Sequence, residues 1–272
     1  SEALEVTRIY SATGNIPPGG SLITARPFRS PHHTASQVGI VGGGAKPQPG
    51  EASLAHRGVL FLDEFNEFPR SVLEALRQPL EDGHLIIARA KERVQYPARF
   101  MLVASANPCP CGYRNHPRKA CVCTPRIIQK YQMRASGPIL DRIDIHVDIQ
   151  PVDIESFAEN QKDSLFQEKS ANMRERVEES RKIQQKRFAA DSIFTNAEMK
   201  NAQVKKYCSL EKNVEDVLRQ ASQKFQLSAR SYFKIIKIGR TIADLNGEQD
   251  ISVPHIAEAL QYRPKAYNQE NY

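Results

Sequence analysis

Residues 58–68 read GVLFLDEFNEF, and this stretch limits the fold more than any other. Val59, Leu60, Phe61 and Leu62 form an unbroken apolar run. Such a run is expected of a strand buried on both faces, as in a parallel sheet covered by helices. It ends in Asp63 and Glu64. The C-terminal ends of the strands are where open α/β sheets form their ligand crevice. Phosphoryl transfer needs a metal beside the β- and γ-phosphates and a water aimed at the γ-phosphorus. Asp63 is suited to organise that metal, and Glu64 to polarise the water as general base. The competing reading is an acidic pair that caps a strand and faces solvent. No G-x-x-x-x-G-K-[ST] phosphate loop occurs in the 272 residues.

The rest of the chain fits an α/β region followed by an all-α region. Residues 14–58 are rich in Gly, Pro, Ser and His and read as a long loop, which in a compact domain is usually functional or disordered. A helix is expected over SVLEALRQPLEDG, opened by Pro69 and Ser71 and stopped by Gly83. HLIIARA and ERVQYPA read as a β-hairpin with Lys91 near its turn. FMLVASA (100–106) is a second continuous buried strand, and ILDRIDIHVDI (139–149) contains a further one. After Pro151 helical periodicity dominates, with helices expected over about 164–189, 195–206, 211–223, 228–246 and 252–262. Asn196, Ser228 and Ser252 are the expected helix starts and Gly247 a stop. The expected domains are residues 1–150 and 151–272.

Three further residues suit nucleotide chemistry. The second apolar strand ends in Asn107, a polar side chain able to position an attacking water. Arg142 lies between a short helical turn and a strand in SGPILDRIDIHV. It can stabilise charge on a γ-phosphate across a subunit boundary. An internal salt bridge to Asp141 or Asp144 is the alternative. Arg230, early in the helix of LSARSYFKIIKIGRTIADL, can contact nucleotide from a helical lid, or is an ordinary surface arginine.

Four of the five cysteines fall in CPCGYRNHPRKACVC: Cys109, Cys111, Cys121 and Cys123. A secreted disulfide framework spreads its cysteines more widely, so a reducing cytoplasm is expected. Four thiolates can close a tetrahedral zinc site, with His116 able to replace one of them. Reduced thiols in a mobile loop are the alternative. Adjacent His32 and His33 are poorly arranged to share an ion and read as loop contacts. The net charge of +7 permits a polyanion partner without requiring one. No apolar run approaches the length of a membrane span.

RPFRSPHHTAS, GEASLAHRGVLFLDEFNEF, LEALRQPLEDG, ASANPCPCGY, SGPILDRIDIHV and LSARSYFKIIKIGRTIADL together resemble the ComM-like (YifB-type) branch of the magnesium-chelatase-related AAA+ ATPases. The resemblance covers nearly the whole chain. It implies an AAA+ P-loop NTPase core, truncated at its N-terminus and so with an incomplete sheet, followed by a helical lid. It implies that the phosphate loop lies upstream of Ser1, after a Lon-protease-like domain. Asp63 and Glu64 then match the Walker B residues, Asn107 sensor 1, Arg142 the arginine finger and Arg230 sensor 2. The GGGAKPQPGEASLAHRG loop matches the family's helix-2 insert and residues 84–98 its insert before sensor 1, with Lys91 and Arg93 as pore-facing polyanion contacts.

The implied function is a ring-forming, hexameric ATPase motor that uses ATP and Mg²⁺ to drive branch migration of DNA during natural transformation. A motor that drives metal insertion into a porphyrin, or a scaffold module that has lost turnover, are the alternatives. Without a phosphate loop, the 272-residue chain alone is expected to show no significant ATPase activity. Robust Glu64-dependent turnover by it contradicts that expectation.

Overall fold

A computed structural model describes residues 2–16, 22–44, 47–88, 93–114, 116–149 and 168–264. The chain divides into two compact units, Ser1–Ile143 and Asp144–Tyr272.

The first unit opens with helix α1 (Glu2–Ala12), which buries Val6 and Ile9. Strand β1 (Phe28–Arg29) and helices α2 (Gln37–Val41) and α3 (Glu51–Leu54) follow. The long loop expected over 14–58 therefore carries short elements of its own. Ser36 caps α2 by accepting the Gly39 N–H. Strand β2 (Val59–Leu62) leads through a 3₁₀ turn (Phe65–Glu67) into α4 (Arg70–Ala75) and α5 (Arg77–Asp82).

The single helix expected after Pro69 is thus interrupted at Leu76. Pro79 has no N–H to offer the carbonyl four residues earlier, so the helical ladder cannot run through. Gly83, at φ 70°, ends α5 in the left-handed conformation that glycine adopts without steric cost.

Strands β3 (His84–Ala88) and β4 (Arg93–Pro97) form the expected antiparallel hairpin, in register His84 to Pro97 and Ala88 to Arg93. Lys91 lies outside the described residues. Strand β5 (Met101–Ala104), α6 (Pro125–Gln132) and α7 (Gly137–Leu140) complete the unit.

The sheet is parallel in the order β1-β2-β5. Its register pairs Phe28 with Val59, Val59 with Met101 and Leu62 with Ala104. Leu60 and Leu62 on one face are fully buried, in a core with Phe65, Phe68, Val72, Leu73, Leu76 and Ile139. The other face differs from the sequence expectation. Phe28 is 64% and Met101 62% exposed, so β5 is not buried on both sides. An apolar run gives no sign of which face finds a covering layer, and among the described residues this face has none.

Gly58 sets the entry to β2. A Cβ there would lie 1.9 Å from the Pro27 carbonyl oxygen, the same atom that accepts the Val59 N–H at 2.8 Å. Only a residue without a side chain lets the two backbones meet this closely.

The strand expected within 139–149 is absent among the described residues. Residues 137–140 are helical, and 144–149 pair with no strand. The segment has alternating apolar residues, but alternation makes a strand only where a neighbouring edge accepts its ladder. Instead the His146 N–H donates to the Tyr262 carbonyl at 2.9 Å.

The second unit is helical: α8 (Ser170–Arg187), a 3₁₀ turn (Asn196–Glu198), α9 (Asn201–Tyr207), α10 (Lys212–Phe225), α11 (Ala229–Leu245) and α12 (Val253–Gln261). The expected helix over 164–189 begins at Ser170, its first residues lying outside the described ones. Ser228 caps α11 by accepting the Ser231 N–H. Asn196 opens only a single 3₁₀ turn, because its side chain is spent on a buried polar network. Phe188, Val214, Leu218, Ile235, Ile236 and Ile256 form the core. Among the described residues no helix is long and apolar enough to cross a membrane.

Candidate functional site

The parallel pairing of β2 and β5 brings the ends of two apolar runs to one level. Leu62 faces Ala104, so Asp63 and Ser105 come next on neighbouring strands. The Ser105 N–H donates to the Leu62 carbonyl (3.1 Å) and the Phe65 N–H to the Ser105 carbonyl (2.8 Å). The Ser105 hydroxyl donates to Asp63 Oδ1. The Glu64 N–H also donates to Asp63 Oδ1, at 3.0 Å, and lies 3.4 Å from Ser105 Oγ. Asp63 is therefore oriented by two donors while remaining exposed.

Glu64 is held at φ 53° and ψ 48°, in the left-handed region. A non-glycine residue there costs on the order of 1–3 kcal/mol, and such outliers cluster at functional sites. The conformation turns the chain sharply between β2 and the 3₁₀ turn. Glu64 Oε2 lies 2.9 Å from His33 Nδ1, and the Glu64 side chain is 49% exposed. His33 rests edge-on against buried Phe68 and beside the His32 ring, at 4.1 Å between centroids. His32 bonds locally to Thr34 at 2.9 Å. The two histidines do not converge on a common point, and His33 is instead the partner of Glu64.

The other predicted residues are distributed as follows. Asn107 is exposed on the continuation of β5, two residues beyond Ser105. Arg142 follows α7 in the first unit and is folded onto its own unit. It pairs with Glu81, donates from Nη1 to the Pro138 carbonyl at 2.7 Å, and is 13% exposed. Its Nε is buried without a hydrogen-bond partner. The ion pair left open by the sequence therefore forms with Glu81 and not with Asp141 or Asp144. Arg93 is exposed at the start of β4. Arg230 belongs to the second unit, exposed in the first turn of α11.

The four loop cysteines converge, with their Sγ atoms all within 4.8 Å of one another. The backbone N–H groups of Tyr113 and then Val122 pull the Cys111 thiol down to about 6. His116 stays outside the cluster. Its Nδ1 accepts the N–H groups of Arg118 and Lys119, each at 3.1 Å.

Sequence reasoning missed Ser105, the Glu64 contact of His33 and the Glu81 partner of Arg142. Only Ser105 had a usable signal. Aligning VLFL with MLVA end to end puts Ser105 opposite Asp63.

Two family profiles match the chain. "Magnesium chelatase, subunit ChlI" covers residues 1–157 and "Magnesium chelatase, subunit ChlI C-terminal" covers residues 167–263. The "Competence protein ComM" of Haemophilus influenzae is 48% identical over 240 residues, spanning 88% of this chain and 45% of that protein. The Escherichia coli protein YifB is 43% identical over 242 residues, again 88% of this chain and 45% of that protein. A "Magnesium-chelatase subunit ChlI homolog" of Methanocaldococcus jannaschii is 24% identical over 230 residues, 82% of this chain and 56% of that protein. The chain thus spans about half the length of the curated relatives it matches. On both profiles and these identities, the chain belongs to the magnesium chelatase subunit ChlI family, in its ComM-like branch.

Proposed function

We propose that this chain is the C-terminal part of a ring-forming AAA+ ATPase motor that acts on DNA, driving branch migration of recombination intermediates in natural transformation. The observation that carries the ATPase reading is the cluster of Asp63, Ser105, Glu64 and His33 at the ends of two paired parallel strands. The DNA reading leans on the 48% identity to a protein named for competence.

Asp63 and Ser105 offer hard oxygen donors of the kind Mg²⁺ takes, so the donor set fits ATP with Mg²⁺. Bound Mg²⁺ supplies neutralisation of charge on the phosphates. In this reading Glu64 takes the proton of the attacking water, and Asn107 orients that water. Arg142 brings positive charge to the phosphates of a neighbouring protomer, which requires it to leave Glu81. Arg230 contacts the nucleotide from the lid, and Lys91 and Arg93 touch DNA from the hairpin. The phosphate loop and a Lon-protease-like domain belong to the remainder of the full-length protein. The assembly is a hexamer in the cytoplasm.

The test is ATP turnover by the full-length protein with and without branched DNA. Several-fold stimulation by branched DNA supports the motor. The family match favours one competitor, a motor that drives metal insertion into a porphyrin. Turnover indifferent to branched DNA but raised by porphyrin-loaded partner subunits decides for that competitor. Absence of turnover under either condition leaves a non-hydrolysing module.

A further inference from the structure

The loop between β5 and α6 has almost no apolar reason to hold a shape. Of its described residues from 109 to 123, only Cys109 is buried, and Val122 is 83% exposed. Yet its four cysteines meet. Cys109 Sγ lies 3.4 Å from Cys111 Sγ and 3.6 Å from Cys121 Sγ, and Cys111 and Cys121 are 3.5 Å apart.

These separations discriminate between the two things four thiols can become. A disulfide needs about 2.05 Å between sulfurs. A tetrahedron of thiolates about 2.3 Å from a zinc ion has edges of about 3.8 Å. The observed edges therefore need only a slight outward shift to reach the tetrahedral value.

The backbone is arranged to match. The Tyr113 and Val122 N–H groups bond to Cys111 Sγ, the Cys111 N–H to Cys123 Sγ, and the Cys123 N–H to Cys121 Sγ. The two C-x-C arms thus donate to each other's sulfurs. This cross-bracing holds the two arms together with their sulfurs gathered at one point. N–H groups aimed at sulfur orient and stabilise thiolate ligands from outside the coordination shell.

We propose that Cys109, Cys111, Cys121 and Cys123 form a closed, structural Zn²⁺ site. With four protein ligands there is no open position for water or substrate, so the ion fixes structure and carries out no reaction. Ion binding replaces the missing hydrophobic core of the loop. It ties the chain just after Asn107 to the start of α6, where Thr124 caps the helix by accepting the Ile127 N–H. A second tie, to the far end of α6, runs from Gln132 Nε2 to the Pro108 carbonyl at 3.0 Å. The site stands whether or not the ATPase reading holds.

The test measures metal in the full-length protein, purified without chelator and compared with its Cys121→Ser variant. The expected result is a loss of about one zinc equivalent per chain on substitution. Cys208→Ala, in the other unit, keeps the full complement. Replacing the metal of the wild-type protein with Co²⁺ gives the intense charge-transfer and ligand-field bands of tetrahedral thiolate cobalt. Because the wild-type protein is measured directly, poor folding of the variant cannot mask the answer. Iron in place of zinc, paired disulfides under non-reducing mass spectrometry, or equal zinc in wild type and variant would each overturn the proposal.

Discussion

On the proposed ATPase reading, Glu64→Gln in the full-length protein is expected to lower ATP turnover by about 10²- to 10⁴-fold, the usual worth of a positioned general base. The substitution keeps shape and hydrogen-bonding capacity while removing the proton acceptor. Glutamine takes the left-handed backbone at φ 53° no worse than glutamate, so it adds no strain. The side chain is 49% exposed and pairs with His33 at the surface, so stability is expected to move by no more than about 0.5 kcal/mol. On the proposed reading ATP binding is expected to persist, because the side chain would act on water and not on the phosphates. Turnover at saturating ATP, measured beside nucleotide affinity and melting temperature, separates these effects. Turnover within a few-fold of wild type, with affinity unchanged, would remove Glu64 from the role of base.

What the sequence made legible was whatever rests on neighbours in the chain. The apolar run from Val59 to Leu62 became β2, and Gly83 ended a helix in the left-handed conformation. The hairpin at 84–97 followed from alternation, and α10 to α12 followed from helical spacing. The features that escaped all depend on a distant partner. Residues 144–149 alternate like a strand, but no described edge pairs with them. Met101 sits in a run expected to be buried, but no described layer covers its face. Within the candidate site, Asp63 and Glu64 were legible because a strand end is a local event. Their companions His33 and Ser105 come from 31 residues before Glu64 and 42 after Asp63, and only the sheet register joins them. Arg142 stood out by its place after a helical turn, while its ion-pair partner Glu81, 61 residues away, left no signal in the sequence.

Asp244→Ala is expected to destabilise the helical unit by about 3–5 kcal/mol, the cost of leaving buried charge without its partner. The Asp244 side chain is fully buried and sits between two guanidinium groups. Arg187 reaches both its oxygens, at 2.7 and 2.5 Å, and Arg240 Nε reaches Oδ1 at 3.0 Å. Asn196 Nδ2 adds a fourth contact at 2.7 Å. Arg240 is itself 3% exposed and is fixed by the Gln249 and Glu248 carbonyls, each at 2.6 Å. It cannot swing into water without breaking those bonds. Removing the carboxylate therefore leaves two like charges facing each other, and strips Asn196 Nδ2 of one of its two acceptors, leaving it the Thr241 hydroxyl. The network clamps the end of α8 to α11 and to the 3₁₀ turn at 196–198, so its loss loosens three elements together. Urea unfolding followed by a probe in the helical unit reads the change as a lowered midpoint. Asp244→Asn keeps one acceptor oxygen and should fall between wild type and alanine. A loss below about 1 kcal/mol for alanine, the level of an exposed pair, would mean that the two arginines relax into solvent and that the hydrophobic core alone holds the unit.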